Sequence, residues 1–414
     1  MSALQPVRGT HDILPEDARR HRYIVETARA IAERYGFDEI STPIFEFTEV
    51  FKRTLGDTSD IVTKEMYTFA DRGGDQITLR PEGTAGIARA FISRGLAQKV
   101  PVKFFYTGPM FRYERPQKGR MRQFHQFGVE LLGVGVPQAD VETITLGAHI
   151  LESLGVMNKV TLEINTLGDK ESRDAYRSVL VDYLSDHRDS LSRESRRRLE
   201  RNPLRILDSK DEADIAALTG APLFPDYLNE ESTEFFADVR ESLDRLGIAY
   251  VVNPRLVRGL DYYCQTAFEF TSEALGAQNA VIAGGRFDGL IAMMGGRDVP
   301  GVGWAAGIER LSMLLERAPP APRAVAVIPV GAGAEEAALR LTHELRHAGF
   351  AVDLGYGGSV AKRMKRANKM NARVAVILGE DELSRDAATV RDLDSGEETE
   401  VPLATLRDRL APFR

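Results

Sequence analysis

Arg112, Arg115, Lys118, Arg120 and Arg122 fall within eleven positions of FRYERPQKGRMRQFHQFGVE (111–130), opposed among them only by Glu114. Guanidinium forks match phosphate oxygens in pairs, so a run like this between two strands reads as a polyanion site. Phe111, Phe124 and Phe127 interleave with the charges, as a platform for a stacked base requires. The plain alternative is a solvated hairpin tip. A second stretch, LVRGLDYYCQTAFEF (256–270), is apolar and aromatic yet carries Arg258 and Asp261 around Gly259. A charge in a buried strand is costly unless it is paired or faces a site. In TLRPEGTAG (78–86), Glu82 and Thr84 stand at a helix start. A carboxylate there can hold a ligand ammonium or merely favour the helix dipole. In GVGWAAGIERL (301–311), small residues let a ligand approach the backbone before Arg310 opens an apolar helix. Tight strand–helix packing would explain the same run.

These side chains need elements to hold them. Residues 16–35 have helical periodicity, with Ile24, Ala28, Ile31 and Ala32 on one side and Gly36 as the stop. FDEISTPIFEF (37–47) alternates like a strand, and Pro43 suggests an edge or an interface. Residues 65–80 read as a hairpin turning at Asp-Arg-Gly-Gly, followed by a helix with Pro81 in its first turn. VKFFYTGPMFRYE and QFHQFGVELLGV read as antiparallel strands joined by the basic loop. A helix over 140–154 and a strand at KVTLEINTLGD come next. From Ser172 to about Leu246 the chain is highly charged and reads as a helical insertion. APPAPR (318–323) reads as a linker, after which strand and helix alternate as in a small, mostly parallel α/β domain. Neither GxxxxGK[ST] nor GxGxxG after a strand occurs, so P-loop and dinucleotide-binding readings lack support.

At 414 residues the chain predicts two or three domains. Apolar content of 43% and charged content of 28% are those of a globular protein. No apolar run approaches a bilayer span, the first residues do not resemble a signal peptide, and the single Cys264 excludes an intrachain disulfide or a cysteine cluster. A cytoplasmic protein is expected. The net charge of −7 argues against a generally nucleic-acid-coated surface but leaves room for local basic patches.

In this order the stretches resemble the class II aminoacyl-tRNA synthetases and, among them, the histidyl-tRNA synthetase family. FDEISTPIFEF matches the first class II motif, a dimer-interface element. FRYE with RQFHQFGVE matches the second, and GVGWAAGIER the third. LVRGLDYY and AGGRFDGL are the histidine-specific stretches, and RGTHDILP also matches. The resemblance implies an α+β catalytic domain over 1–320, built on an antiparallel sheet flanked by helices, with the helical insertion at about 172–246. An α/β domain of anticodon-binding type follows over 321–414. It implies ATP as substrate with Mg²⁺ accompanying it and no protein-ligated metal. It also implies L-histidine and tRNA(His) as partners, and a homodimer.

Roles follow by motif position. Arg112 would hold the α-phosphate, and Arg258 would approach the same phosphate and the histidine carboxylate in place of a metal ion. Phe124 and Arg310 would sandwich adenine, with Glu114 reading its edge or supporting Arg112. Glu130 and Tyr263 would meet the imidazole, and Tyr262 would line the pocket. Glu82 and Thr84 would take the α-ammonium, with Gln126 between ammonium and carboxylate. Asp261 is expected to orient Arg258 or a tyrosine. Arg115 and Gln117 would meet the tRNA acceptor end. Lys362, Lys365, Arg366, Lys369 and Arg373, spaced 3, 1, 3 and 4 and joined by Arg363, would offer phosphates one helix face. A non-catalytic regulatory paralogue of histidine biosynthesis is the rival reading. It is disfavoured because LVRGLDYY, the second-motif arginine and residues 323–414 are all present.

Overall fold

The computed structural model describes residues 4–55, 61–207, 209, 211–258, 262–276 and 279–414. They divide into two compact units, Met1–Pro319 and Pro320–Arg414.

The first unit is built on an eight-stranded sheet. Its order is Asp38–Glu39, Val102–Phe111, Gln123–Leu132, Gly301–Gly307, Ala280–Arg286, Cys264–Thr271, Thr161–Thr166, Val251–Val252. Only the two short outer strands pair in parallel; every pairing between them is antiparallel. The period of two explains how one strand serves both core and site. On Gln123–Leu132, Phe127, Val129 and Leu131 enter the main core. Phe124, Gln126, Gly128 and Glu130 therefore share the opposite face. The helices Pro15–Arg34 and Pro137–Ser153 cover the core face, and Ile24, Ala28, Ile31 and Ala32 are all buried there.

Three expectations need correction. FDEISTPIFEF is not one strand. Asp38–Glu39 joins the large sheet, while Phe45–Phe47 joins a separate three-stranded sheet with Tyr67–Ala70 and Gln76–Leu79. Pro43, which cannot donate to a ladder, lies in the break. The insertion is also shorter than 172–246. A core of its own, including Tyr176, Leu180, Leu199 and Phe224, holds residues from the helix Lys170–Asp186 to Leu228. The helix Glu230–Arg245 instead buries Phe236, Val239 and Leu243 in the main core. The third concerns the second unit, a five-stranded sheet ordered Val352–Leu354, Val325–Pro329, Val374–Leu378, Ala387–Asp392, Glu398–Pro402. Its first two pairings are parallel and its last two antiparallel, so the sheet is mixed. Strand–helix alternation announces the parallel half and is silent about a terminal hairpin. Among the described residues no helix is long and apolar enough to cross a membrane.

Candidate active site

One cavity of about 320 Å³ opens on the polar face of the large sheet. Four segments distant in sequence wall it: the start of the helix Thr84–Ser93, the basic hairpin, the stretch around Arg258, and the glycine-rich strand leading to Arg310. Glu82, Thr84, Arg112, Glu114, Phe124, Gln126, Arg258, Tyr262, Tyr263 and Arg310 all line it. Small residues make the room. Gly303 pairs with Glu130 across the sheet, and a Cβ there would strike the Glu130 carboxylate.

The charged run on the hairpin divides in two. Arg112 and Arg120 turn towards the cavity, while Arg115, Gln117 and Lys118 stand exposed at the tip. Arg112 donates from Nε to the Pro81 carbonyl (2.9 Å), and its guanidinium lies 5.2 Å from the Phe124 ring. Glu114 is buried and paired with Arg120, with Arg112 at 3.9 Å. Arg310 donates to the carbonyls of Gly119 (3.1 Å) and Ala280 (2.8 Å). Burial, then the nearness of Arg120 and Arg112, lowers the Arg310 pKa. Three guanidiniums crowded this way mark a place for an anion.

Arg258 pairs with Glu269 and sits 5.2 Å from the Tyr263 ring. Its side chain is 14% exposed, and its Nε is buried without a partner among the described residues. Gln126 Oε1 is in the same condition. Tyr262 and Tyr263 lean on each other at 4.6 Å. Asp261 and Gly259 lie outside the described residues.

Of the two roles open to Glu82 at a helix start, the structure displays the helix-end one. Its carboxylate accepts from the amides of Thr84 (2.6 Å) and Ala85 (2.8 Å), so it caps the helix Thr84–Ser93. Glu130 is 1% exposed and absent from the cavity wall. It lies behind Thr84, whose hydroxyl donates to Glu130 Oε1 at 2.6 Å, while Oε2 has no partner among the described residues. Burial drives the Glu130 carboxyl well above the usual carboxylate range; the Thr84 bond opposes this and Glu82 adds to it. Burial likewise raises Glu82, against the pull of the Ala85 and Thr84 amides.

Several residues escape sequence reasoning. Glu269 supplies the partner of Arg258, and an acid among strand aromatics in the same quoted stretch was its signal. Glu309, one residue before Arg310, lines the cavity and accepts from the amide of His125 (3.0 Å to each oxygen). Burial would raise its pKa, but bonds from the His125 ring and amide bring it below the usual value. Arg286, in AGGRFDGL, is fully buried outside the cavity wall and pairs with Asp140 and Asp288. Burial pushes the Cys264 thiol up to about 12, which leaves it an inert strand residue.

A second cavity, about 730 Å³, shares Arg258, Tyr262 and Tyr263 with the first. Its other wall belongs to the insertion and carries Lys170, Arg173, Arg177, Arg201 and Arg205.

The model of the family described as histidyl-tRNA synthetase matches residues 9–311, and that of the anticodon binding domain matches 324–411. The chain belongs to the histidyl-tRNA synthetase family. It is 64% identical to a histidine–tRNA ligase of Rhodospirillum rubrum, over the whole of both chains. With one of Gluconacetobacter diazotrophicus the identity is 56% over 99% of each. The crystal structure of apo Staphylococcus aureus histidyl-tRNA synthetase superposes with a TM-score of 0.83 at 34% identity, covering 98% of this chain and 99% of that one. As a member of this family the chain is an aminoacyl-tRNA ligase with the class II α+β fold, and the regulatory-subunit reading is not favoured.

In the second unit the basic residues separate. The helix Val360–Lys369 leaves Lys362, Lys365 and Lys369 exposed, with no ion pair among the described residues. Arg363 turns inward to the Pro329 carbonyl and Glu335, and Arg366 pairs with Asp353 at 2.9 Å. Arg373 is not on that helix. Asn371, at φ 56°, follows the helix end, and Arg373 pairs with Asp392 and Asp394 beside the next strand.

Proposed function

We propose that the 320 Å³ cavity joins L-histidine to ATP, and that the histidyl group then passes to the 3′-terminal ribose of tRNA(His). In the first step a histidine carboxylate oxygen attacks the α-phosphorus. The bond from that phosphorus to the β-bridging oxygen breaks and pyrophosphate leaves. In the second, a ribose hydroxyl attacks the acyl carbon and AMP leaves. Neither step needs a protein nucleophile. Both need positioning; the first also needs positive charge where the phosphorane develops, and the second where the oxyanion forms on the acyl carbon.

The observation that carries this reading is the cluster of uncompensated polar atoms at one place. Arg258 Nε and Gln126 Oε1 line the cavity, and Glu130 Oε2 lies just behind it. Leaving buried polar atoms unpaired costs free energy that a ligand can recover. Arg112 and Arg258 would grip the α-phosphate, with Arg258 also meeting the substrate carboxylate. Phe124 and Arg310 would hold adenine by stacking and cation–π contact, and Glu114 would fix Arg112. Glu130 and Tyr263 would read the imidazole, with Thr84 moving aside to admit it. Glu82, Thr84 and Gln126 would receive the ammonium, and Tyr262 would close the wall. Among the acids of the cavity wall, Glu114 and Glu269 are paired with arginines, and Glu82 and Glu309 accept from backbone amides. Mg²⁺ would ride on the phosphates, and no step here depends on a protein ligand to it.

The acceptor end would enter past Arg115 and Gln117 towards the basic second cavity, and Lys362, Lys365 and Lys369 would contact tRNA phosphates, Arg366 being already paired with Asp353. A second copy of the chain would cover the exposed Phe45, Phe47 and Phe69 of the small sheet, giving a homodimer. The enzyme would work in the cytoplasm. Histidine-dependent ATP–pyrophosphate exchange by purified, folded protein with Mg²⁺ tests the reading. Exchange no higher than in the absence of histidine refutes it.

A further inference from the structure

We infer that His21, His125 and Glu309 form a binding site for one divalent transition-metal ion of the zinc class. The three come from rigid and distant pieces of the first unit. His21 lies within the helix Pro15–Arg34, His125 on the strand Gln123–Leu132, and Glu309 in the first turn of Ile308–Leu314. One ligand atom from each lies within 4.8 Å of the other two. Tetrahedral zinc with bonds of about 2.0–2.2 Å needs ligand atoms roughly 3.3–3.6 Å apart. Small side-chain rotations close that gap.

The arrangement has more than proximity in its favour. All three side chains are half-buried rather than spread on the surface. Glu309 is already held by the His125 amide, so outer bonds fix one ligand before any ion arrives. Glu309 Oε1 also meets His125 Nδ1 at 2.8 Å through a shared proton, which a metal bound by both would displace, and the two imidazoles stand 5.7 Å apart, nearly edge to face. The His21 ring makes no side-chain hydrogen bond among the described residues, although it abuts this pair. A half-buried imidazole without a partner, beside a second imidazole and a carboxylate, is a ligand set for zinc, cobalt or nickel. Magnesium and calcium prefer all-oxygen sites. Three protein ligands leave a fourth position for water. Positions 21, 125 and 309 are too far apart in sequence to form a motif, so the expectation of no protein-ligated metal had nothing to weigh here.

Glu309 also lines the active-site cavity, so the site borders it. Glu309 precedes Arg310, so an ion would pin the start of the helix that carries Arg310.

Chelator-stripped full-length protein titrated with Zn²⁺ by calorimetry, and with Co²⁺ by visible absorption, tests the proposal. The expected result is one equivalent bound at this site and a rise in Tm with Zn²⁺. Both should be lost or weakened by at least about tenfold in His21→Ala. His21→Gln, which keeps bulk and polarity, should behave alike if the alanine variant folds poorly. Metal-free ATP–pyrophosphate exchange should stay within about twofold in either. The exposed pair His343 and His347, 4.4 Å apart on another helix, is the competing two-ligand site. His343→Ala/His347→Ala should leave the tight equivalent in place. Native affinity in both His21 variants, no binding by native protein, or loss only in the His343/His347 double variant would overturn the assignment.

Discussion

Two buried charged clusters share the eight-stranded sheet, and they are finished differently. Around Arg286 every guanidinium nitrogen is used. Nε donates to Asp140, Nη1 to Asp288 (2.9 Å) and the Val134 carbonyl (3.0 Å), and Nη2 to Asp140 and the Val136 carbonyl (3.3 Å). Arg286 and Asp140 are both 0% exposed. Around Arg258 the accounts stay open, with Arg258 Nε, Gln126 Oε1 and Glu130 Oε2 lacking partners among the described residues. Buried charge is costly wherever it occurs. A cluster that meets the cost internally is a staple, here tying a strand end to the helix Pro137–Ser153. A cluster that does not is waiting for a ligand.

The largest expected effect tests the first half of that contrast. Asp140→Ala would leave buried Arg286 with Asp288 as its remaining carboxylate partner among the described residues and should lower stability by about 3 kcal/mol. The fall in urea midpoint measures it. Activity per folded molecule should change little, since neither residue lines the cavity. A loss under about 1 kcal/mol would mean that the staple idea is wrong.

Arg258→Ala tests the other half. It should lower Tm less than Asp140→Ala does, since Glu269 is 20% exposed, and lower the rate of histidine activation by roughly 10²–10³-fold, with ATP affinity within about threefold. The converse pattern, a raised ATP dissociation constant with an unchanged rate, would remove Arg258 from the transition state. A smaller effect is expected at Gly303, whose missing Cβ leaves room for Glu130. An added Cβ would also meet the Val129 carbonyl, so Gly303→Ala should cost about 1–3 kcal/mol of stability; with Glu130 displaced, the histidine KM should rise by about tenfold while the ATP KM stays nearly unchanged. Equal rises in both would separate Glu130 from the imidazole.

The contrast also explains what the sequence made legible. Arg112, Phe124, Arg258 and Arg310 stand out in the sequence because a charge or an aromatic interrupts a run of different character, whereas Gln126 is reached only through the family resemblance; all five line the cavity. Their spacing records which face they occupy. Arg286 stood in the same kind of run, and nothing local distinguishes a charge answered by Asp140, 146 positions away, from one left open. Pairing across that distance is a tertiary fact. Glu82 shows the same ambiguity from the other side, because its place at a helix start suits a ligand and a cap equally, and without substrate it is the cap. The division of FDEISTPIFEF between two sheets was half legible in Pro43, which marks an interruption without saying where each part goes.

The basic helix of the second unit extends the contrast to the surface and gives the smallest effect. A count of positive residues treats Lys362, Lys365, Arg366, Lys369 and Arg373 alike, but the structure sorts them by whether a carboxylate already answers them. Arg366 and Arg373 have carboxylate partners, while the three lysines have no ion pair among the described residues. A lysine that meets a phosphate releases a counterion, so its loss should lower the salt dependence of binding by about 0.7–0.9 in the log–log slope. Lys362→Ala, Lys365→Ala and Lys369→Ala should each show this in tRNA charging, with ATP–pyrophosphate exchange untouched. Arg373→Ala should leave the slope alone, because its charge is already spent on Asp392 and Asp394. If Arg373 moved the slope as much as the lysines, internal pairing would not be what separates structural from binding charge on this surface.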